Sequence, residues 1–154
     1  MVLGVGDKAP DVVLRFPDGT ERALSDWVGR KLALYFYPRD DTPGCTSEAR
    51  DFSTLLPEFE AADTDVVGVS RDNAASHDRF AAKHELRHRL ALDDGRVSEA
   101  FGTWVEKSMY GRKYMGLARA TFLLDRSGKV AAAWPKVSVK GHAAAVLKAA
   151  QPLN

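Results

Sequence analysis

KLALYFYPRDDTPGC, Lys31 to Cys45, decides the fold. After Lys31 the run to Tyr37 is continuously apolar and ends at Pro38, the pattern of a central strand buried on both faces. Pro38 to Asp41 make a loop. Thr42 then suits a helix N-cap and Pro43 the first helical position. Phe52, Leu55, Leu56 and Phe59 fall at helical spacing and carry that helix over Pro43 to Ala62, with Pro57 expected to split or kink it. The stretch therefore predicts strand, loop and helix in direct succession, and in open α/β sheets chemistry gathers at such a loop.

Upstream, Asp11 to Arg15 and Thr20 to Leu24 alternate around Phe16-Pro17-Asp18-Gly19, a hairpin expected as a small antiparallel cap. Downstream, Asp65 to Ser70 reads as a second buried strand and Asn73 to Glu85 as a polar helix with Phe80 and Ala81 inward. Arg89 to Leu92 is a short strand closed by Asp93-Asp94-Gly95, and Val97 to Phe101 a small helix. Ala120 to Leu124 and Lys129 to Trp134 flank the turn Asp125 to Gly128, and Gly141 to Ala150 closes the chain as an Ala-rich helix. Strands alternating with helices, plus a late hairpin, predict an α/β fold with a mixed central sheet flanked by helices. At 154 residues one domain over 1–154 is expected.

Lys and Arg (22) nearly balance Asp and Glu (21), which argues against a nucleic-acid partner. No apolar run approaches the roughly 20 residues that span a bilayer, and Met1 to Pro10 lacks the apolar core of a secretion signal. A single cysteine cannot form an internal disulfide and fits a reducing compartment, so a cytoplasmic protein without a membrane partner is expected.

That cysteine, Cys45, falls in the first turn of the predicted helix, beside free amides and the positive end of the dipole, where a reactive anion is favoured. A free cysteine is more commonly a small buried hydrophobe. From the residues alone both readings stand open.

Pro38, Thr42 and Cys45 together form a Pro-x-x-x-Thr-x-x-Cys arrangement that resembles the peroxidatic signature of peroxiredoxins. YFYPRDDTPGCTSEARDF (Tyr35 to Phe52) and VEKSMYGRKYMGLARATFLLD (Val105 to Asp125) are similar to the two diagnostic stretches of the bacterioferritin comigratory protein, or peroxiredoxin Q, subfamily. With Gly6 to Pro10 the likeness spans the chain. It implies a thioredoxin-like fold with an N-terminal β-hairpin and a thiol-dependent peroxidase that reduces hydrogen peroxide and organic hydroperoxides. It makes Cys45 the peroxidatic nucleophile, Thr42 the hydroxyl that hydrogen-bonds the peroxide, Arg119 the guanidinium beside the thiolate and Pro38 its shield. From local sequence alone Arg119 would read as a surface arginine. Glu48, three residues after Cys45, reads either as an orienting partner of an arginine or as a plain first-turn acid.

The chain departs from many members of that subfamily at Arg50, where a resolving cysteine would stand. With no second cysteine, a sulfenic acid on Cys45 must be reduced by an external thiol: thioredoxin, glutaredoxin with glutathione, another small thiol, or Cys45 of a second subunit. No prosthetic cofactor is expected, and the resemblance leans towards a monomer. Arg50 itself reads as a solvated arginine, or as an attractor of an anionic reductant.

A disulfide oxidoreductase is disfavoured because Thr46, Ser47 and Glu48 follow Cys45 and no Cys-x-x-Cys exists. A thioredoxin-fold binding or holdase module is the alternative. His84 and His88 read as a pair of surface histidines rather than a metal site. Lys107, Arg112 and Lys113, interleaved with Tyr110 and Tyr114, read as a conformational loop near the active site.

Overall fold

In chain order the elements are β1 (Val13–Arg15), β2 (Glu21–Ala23), a short 3-10 turn at Leu24–Trp27, β3 (Lys31–Phe36), α1 (Pro43–Ala61), β4 (Thr64–Ser70), α2 (Ala74–His84), β5 (Arg89–Leu92), α3 (Arg96–Phe101), β6 (Trp104–Met109), β7 (Arg112–Leu117), β8 (Ala120–Leu124), β9 (Val130–Trp134) and α4 (His142–Ala150). This computed structural model describes residues 3–154, so Met1 and Val2 of the expected domain lie outside the described residues.

Seven strands form one mixed sheet in the order β2-β1-β5-β4-β3-β8-β9. β3 is an interior strand next to the central β4, parallel to β4 and antiparallel to β8, with all six residues buried. Alternation sends Leu32, Leu34 and Phe36 to one face, where Phe101 of α3 and Leu14 of β1 pack, and Ala33 and Tyr35 to the other, against Phe52 and Phe59 of α1, Phe80 of α2 and Val146 of α4. The mixed α/β sheet predicted from sequence is the one observed.

Three expectations are corrected. The N-terminal hairpin is not a separate cap: Arg15 pairs with Leu92, so β1 and β2 extend the main sheet at its edge. α1 runs through Pro57 without a split. A proline removes one ladder bond, and the buried row of Phe52 and Phe59 holds the helix on the sheet across that gap. The segment read as a loop around Lys107 and Arg112 is a β-ribbon, β6 paired with β7, turning at Tyr110 and Gly111, both in the left-handed region at φ 52° and 78°. Two successive positive φ values are what a tight hairpin with the native twist requires, and glycine supplies the second at no steric cost.

β3 ends where β8 begins, because Phe36 pairs antiparallel with Ala120. The loop leaving β3 and the residues entering β8 are therefore side by side, although roughly 75 positions apart in sequence.

Candidate active site

The register places Cys45, in the first turn of α1, against Arg119, the residue before β8. Arg119 Nη2 donates to Cys45 Sγ at 3.4 Å, and Nη1 donates to Glu48 Oε1 at 2.9 Å. Glu48 lies one helical turn beyond Cys45, so one guanidinium spans the two successive side chains of that helix face. The backbone of Arg119 is itself held, its carbonyl accepting from Val137 N at 3.0 Å. Cys45 is 1% exposed and Glu48 1%. Of the first-turn amides, Thr46 N donates to the Thr42 carbonyl at 2.8 Å, Pro43 has no N–H, and those of Gly44 and Cys45 have no intrahelical acceptor.

Glu48 is thus the orienting partner, the first of its two sequence readings. Its carboxyl is pushed up to about 7 by burial, against the pull of Arg119. Oε2 has no hydrogen-bond partner among the described residues. Relative to an unfolded value near 4.5, the folded state keeps this proton longer, so the group favours folding below that value and the contribution is lost as pH rises to about 7. Glu48→Gln mimics the protonated acid. Urea unfolding is expected to give equal stabilities near pH 5 and a variant about 1–3 kcal/mol more stable than wild type near pH 8.

Gly44 sets how closely the guanidinium approaches. A Cβ at that position would lie 3.1 Å from Arg119 Nη2, closer than a relaxed contact permits. Gly44→Ala is expected to displace the guanidinium by a few tenths of an ångström. Peroxide-reduction kinetics should slow roughly threefold to tenfold with little change in melting temperature.

Thr42 occupies the N-cap position with extended backbone, but its side chain does not cap α1. Its hydroxyl instead donates to the Arg39 carbonyl at 2.9 Å. That bond uses its hydrogen and leaves its lone pairs as acceptors. Pro38 is exposed at the end of β3.

Sequence reasoning missed the acidic pair that follows Arg39. Asp40 is buried and Asp41 sits in the left-handed region at φ 57°, accepting from Lys83 Nζ and bonding His84 Nε2, each at 2.8 Å. The reading of His84 and His88 as a surface pair is corrected for His88. That ring is buried between Tyr35 Oη and Ser53 Oγ, each 2.7 Å away, and burial brings it down to about 3, so it is neutral. The left-handed Glu85 ends α2 between the two histidines and sends them apart. Arg50 is exposed and lines a polar recess of about 370 Å³ with Ser53, Thr54, His84, Glu85 and Arg87.

The model of the AhpC/TSA family matches residues 5–133. The chain belongs to the AhpC/TSA family. Among relatives, the peroxiredoxin Bcp of Bacillus subtilis is 41% identical over 155 residues, covering 100% of this chain and 99% of that protein. The peroxiredoxin Bcp of Xanthomonas campestris is 48% identical over 140 residues, 90% of this chain and 88% of that protein. Among solved structures, Xanthomonas campestris peroxiredoxin Q superposes with a TM-score of 0.89 at 45% identity, covering 96% of each chain. A structure of the bacterioferritin comigratory protein from the same organism, described in terms of its alkyl peroxide reduction activity, matches with a TM-score of 0.89 at 44% identity, covering 96% of this chain and 97% of that one. The thioredoxin-like fold and the peroxiredoxin Q resemblance expected from the sequence therefore hold for this AhpC/TSA chain.

Proposed function

We propose that this chain is a thiol-dependent peroxidase whose nucleophile is Cys45. One observation carries the reading: a guanidinium donor lies 3.4 Å from the only thiol, which sits in the first turn of a helix. The Cys45 thiolate attacks one oxygen of the hydroperoxide, the O–O bond breaks, and its electron pair leaves with the second oxygen as alkoxide or hydroxide, which takes a proton. Cys45 becomes a sulfenic acid. Arg119 and the first-turn amides stabilise the departing charge, and the Thr42 oxygen accepts the hydrogen of the incoming O–H, which orients the peroxide. Pro38, at the mouth of the loop, screens the sulfur from water.

Lowering a thiol's pKa does not by itself make a fast peroxidase. For any thiol, a drop from about 8.5 to about 6 raises the thiolate at neutral pH roughly 30-fold. A Brønsted slope of about 0.45 returns about 13-fold of that through lost nucleophilicity. Donors aimed at the leaving oxygen must supply the rest.

No prosthetic group enters this cycle. An external thiol attacks the sulfenic sulfur and expels water, and a second thiol releases the mixed disulfide. The reductant is proposed to be thioredoxin, glutaredoxin with glutathione, or another small thiol, and the recess beside Arg50 and Arg87 favours one carrying carboxylates. Residues 1–154 are taken as one peroxiredoxin domain, acting as a monomer in the reducing cytoplasm. Among the described residues no helix is long and apolar enough to cross a membrane.

The test is intact mass after one equivalent of hydrogen peroxide. A rapid gain of one oxygen, reversed by added thiol, supports the reading; peroxide left unconsumed removes it. Repeating the reversal with each thiol identifies the reductant, and with Arg50→Ala it tests the recess.

A further inference from the structure

α2 sends one imidazole into the interior. His77 is fully buried, with Nδ1 2.7 Å from Asp40 Oδ2 and Nε2 2.9 Å from the Ala91 carbonyl of β5. A carbonyl only accepts, so Nε2 carries a proton. Asp40 already accepts from Tyr37 Oη at 2.6 Å and from Ser76 Oγ at 2.8 Å, the pattern of an ionised carboxylate, so Nδ1 is a donor as well. Both ring nitrogens are then protonated. Burial alone would push the imidazole down, but the bond to Asp40 and its charge outweigh that and leave its pKa raised.

The consequence reaches the site through one peptide unit. Asp40 N donates to Asp72 Oδ2 at 2.9 Å, and the Arg39 carbonyl of the same peptide plane accepts the Thr42 hydroxyl. Fixing Asp40 fixes the plane that aims Thr42. Asp41, the next residue, is held to the end of α2 by Lys83 and His84, so two successive loop carboxylates are fastened to one helix.

We propose that His77 is a positioning residue for peroxide reduction: bonded at once to Asp40 and to the Ala91 carbonyl, it locks the Pro38–Cys45 loop onto α2 and β5 in the geometry that presents Thr42 and Cys45 to Arg119. This rests on the peroxidase reading. The charged and titratable groups around the ring are Asp40 from the loop, Asp72 from the turn after β4 and Tyr37 from the end of β3; β5 contributes the Ala91 carbonyl. A neutral imidazole has one N–H for two acceptors, so deprotonation breaks one of the two bonds. The lock is complete below the ordinary histidine range and opens as pH rises through the raised value.

The experiment compares kcat/KM for hydrogen peroxide from neutral to alkaline pH in wild type, His77→Asn and His77→Gln, with melting temperatures. Asn places its amide N–H where Nδ1 was and keeps the Asp40 bond without a titrating proton. Gln reaches the Nε2 position and loses it. His77→Asn, which holds one of the two bonds at every pH, is expected at neutral pH to run at about wild type's alkaline rate and to lack wild type's alkaline fall, whereas His77→Gln, without the Asp40 bond, drops about tenfold or more. Every other titratable group is common to the three proteins, so the difference between profiles isolates His77. Identical profiles, or losses that merely follow melting temperature in both variants, overturn the proposal. If neither variant folds, nitrogen NMR of the wild-type imidazole decides: both ring nitrogens protonated at neutral pH is expected, and a neutral ring overturns it. A wild type that never forms the sulfenic acid defeats the peroxidase reading instead, a result recognisable before any variant is made.

Discussion

Cys45→Ser is expected to take up no oxygen from one equivalent of hydrogen peroxide on the timescale on which wild type is fully converted, and thiol-dependent peroxide consumption should fall more than about 10³-fold. A serine hydroxyl stays un-ionised at neutral pH, so the variant keeps the shape of the site and loses its nucleophile. Folding is not at stake, because the smaller oxygen sits in the same buried position and can still accept from Arg119. The control lies in the methionines. Met109 and Met115 on the β6–β7 ribbon are 57% and 50% exposed, and as thioethers they oxidise slowly in excess peroxide. Peptide mapping separates that slow gain from the fast one. A variant that consumed peroxide at the wild-type rate would move the chemistry off Cys45 altogether.

How far the sequence carried is clearest at single residues. β3 was legible because an unbroken apolar run ending at proline has few other meanings, and the place of Cys45 in the first turn of α1 was legible from the Thr-Pro-Gly helix start, though its reactivity was not. Arg119 was not: nothing local distinguishes it from a surface arginine, and only the likeness of its segment to a known family placed it beside the thiol. The β6–β7 ribbon escaped because both of its faces carry exposed side chains, leaving no apolar alternation to detect, although Tyr110-Gly111 was a turn signal in plain view. His77 and Asp40 escaped for a different reason. Their bond spans 37 positions, and a histidine in a polar helix looks like solvent-facing surface until the fold brings a carboxylate to it. Pairing across a fold leaves no periodic trace in a single sequence.

Arg119→Ala should separate electrostatic assistance from thiol acidity. Removing one preorganised donor from a developing oxyanion costs about 10²–10³ in rate. The amides of the first turn of α1 remain beside the sulfur in the variant. Stopped-flow Trp fluorescence should therefore show kcat/KM for peroxide falling about 10²–10³-fold, while an ultraviolet titration of the thiol accounts for at most about tenfold of it. Glu48 complicates a single variant, because without the guanidinium its buried carboxylate loses its one hydrogen-bond partner among the described residues and takes up a proton. The double variant Arg119→Ala with Glu48→Gln removes that rearrangement and should be as slow as the single one. Arg119→Lys offers a point charge without the fork that spans Cys45 and Glu48, and is expected to recover only part of the loss. If rate and thiolate fraction fell by the same factor in all three, Arg119 would act on the nucleophile rather than on the leaving oxygen, and the division of labour proposed for this site would be wrong.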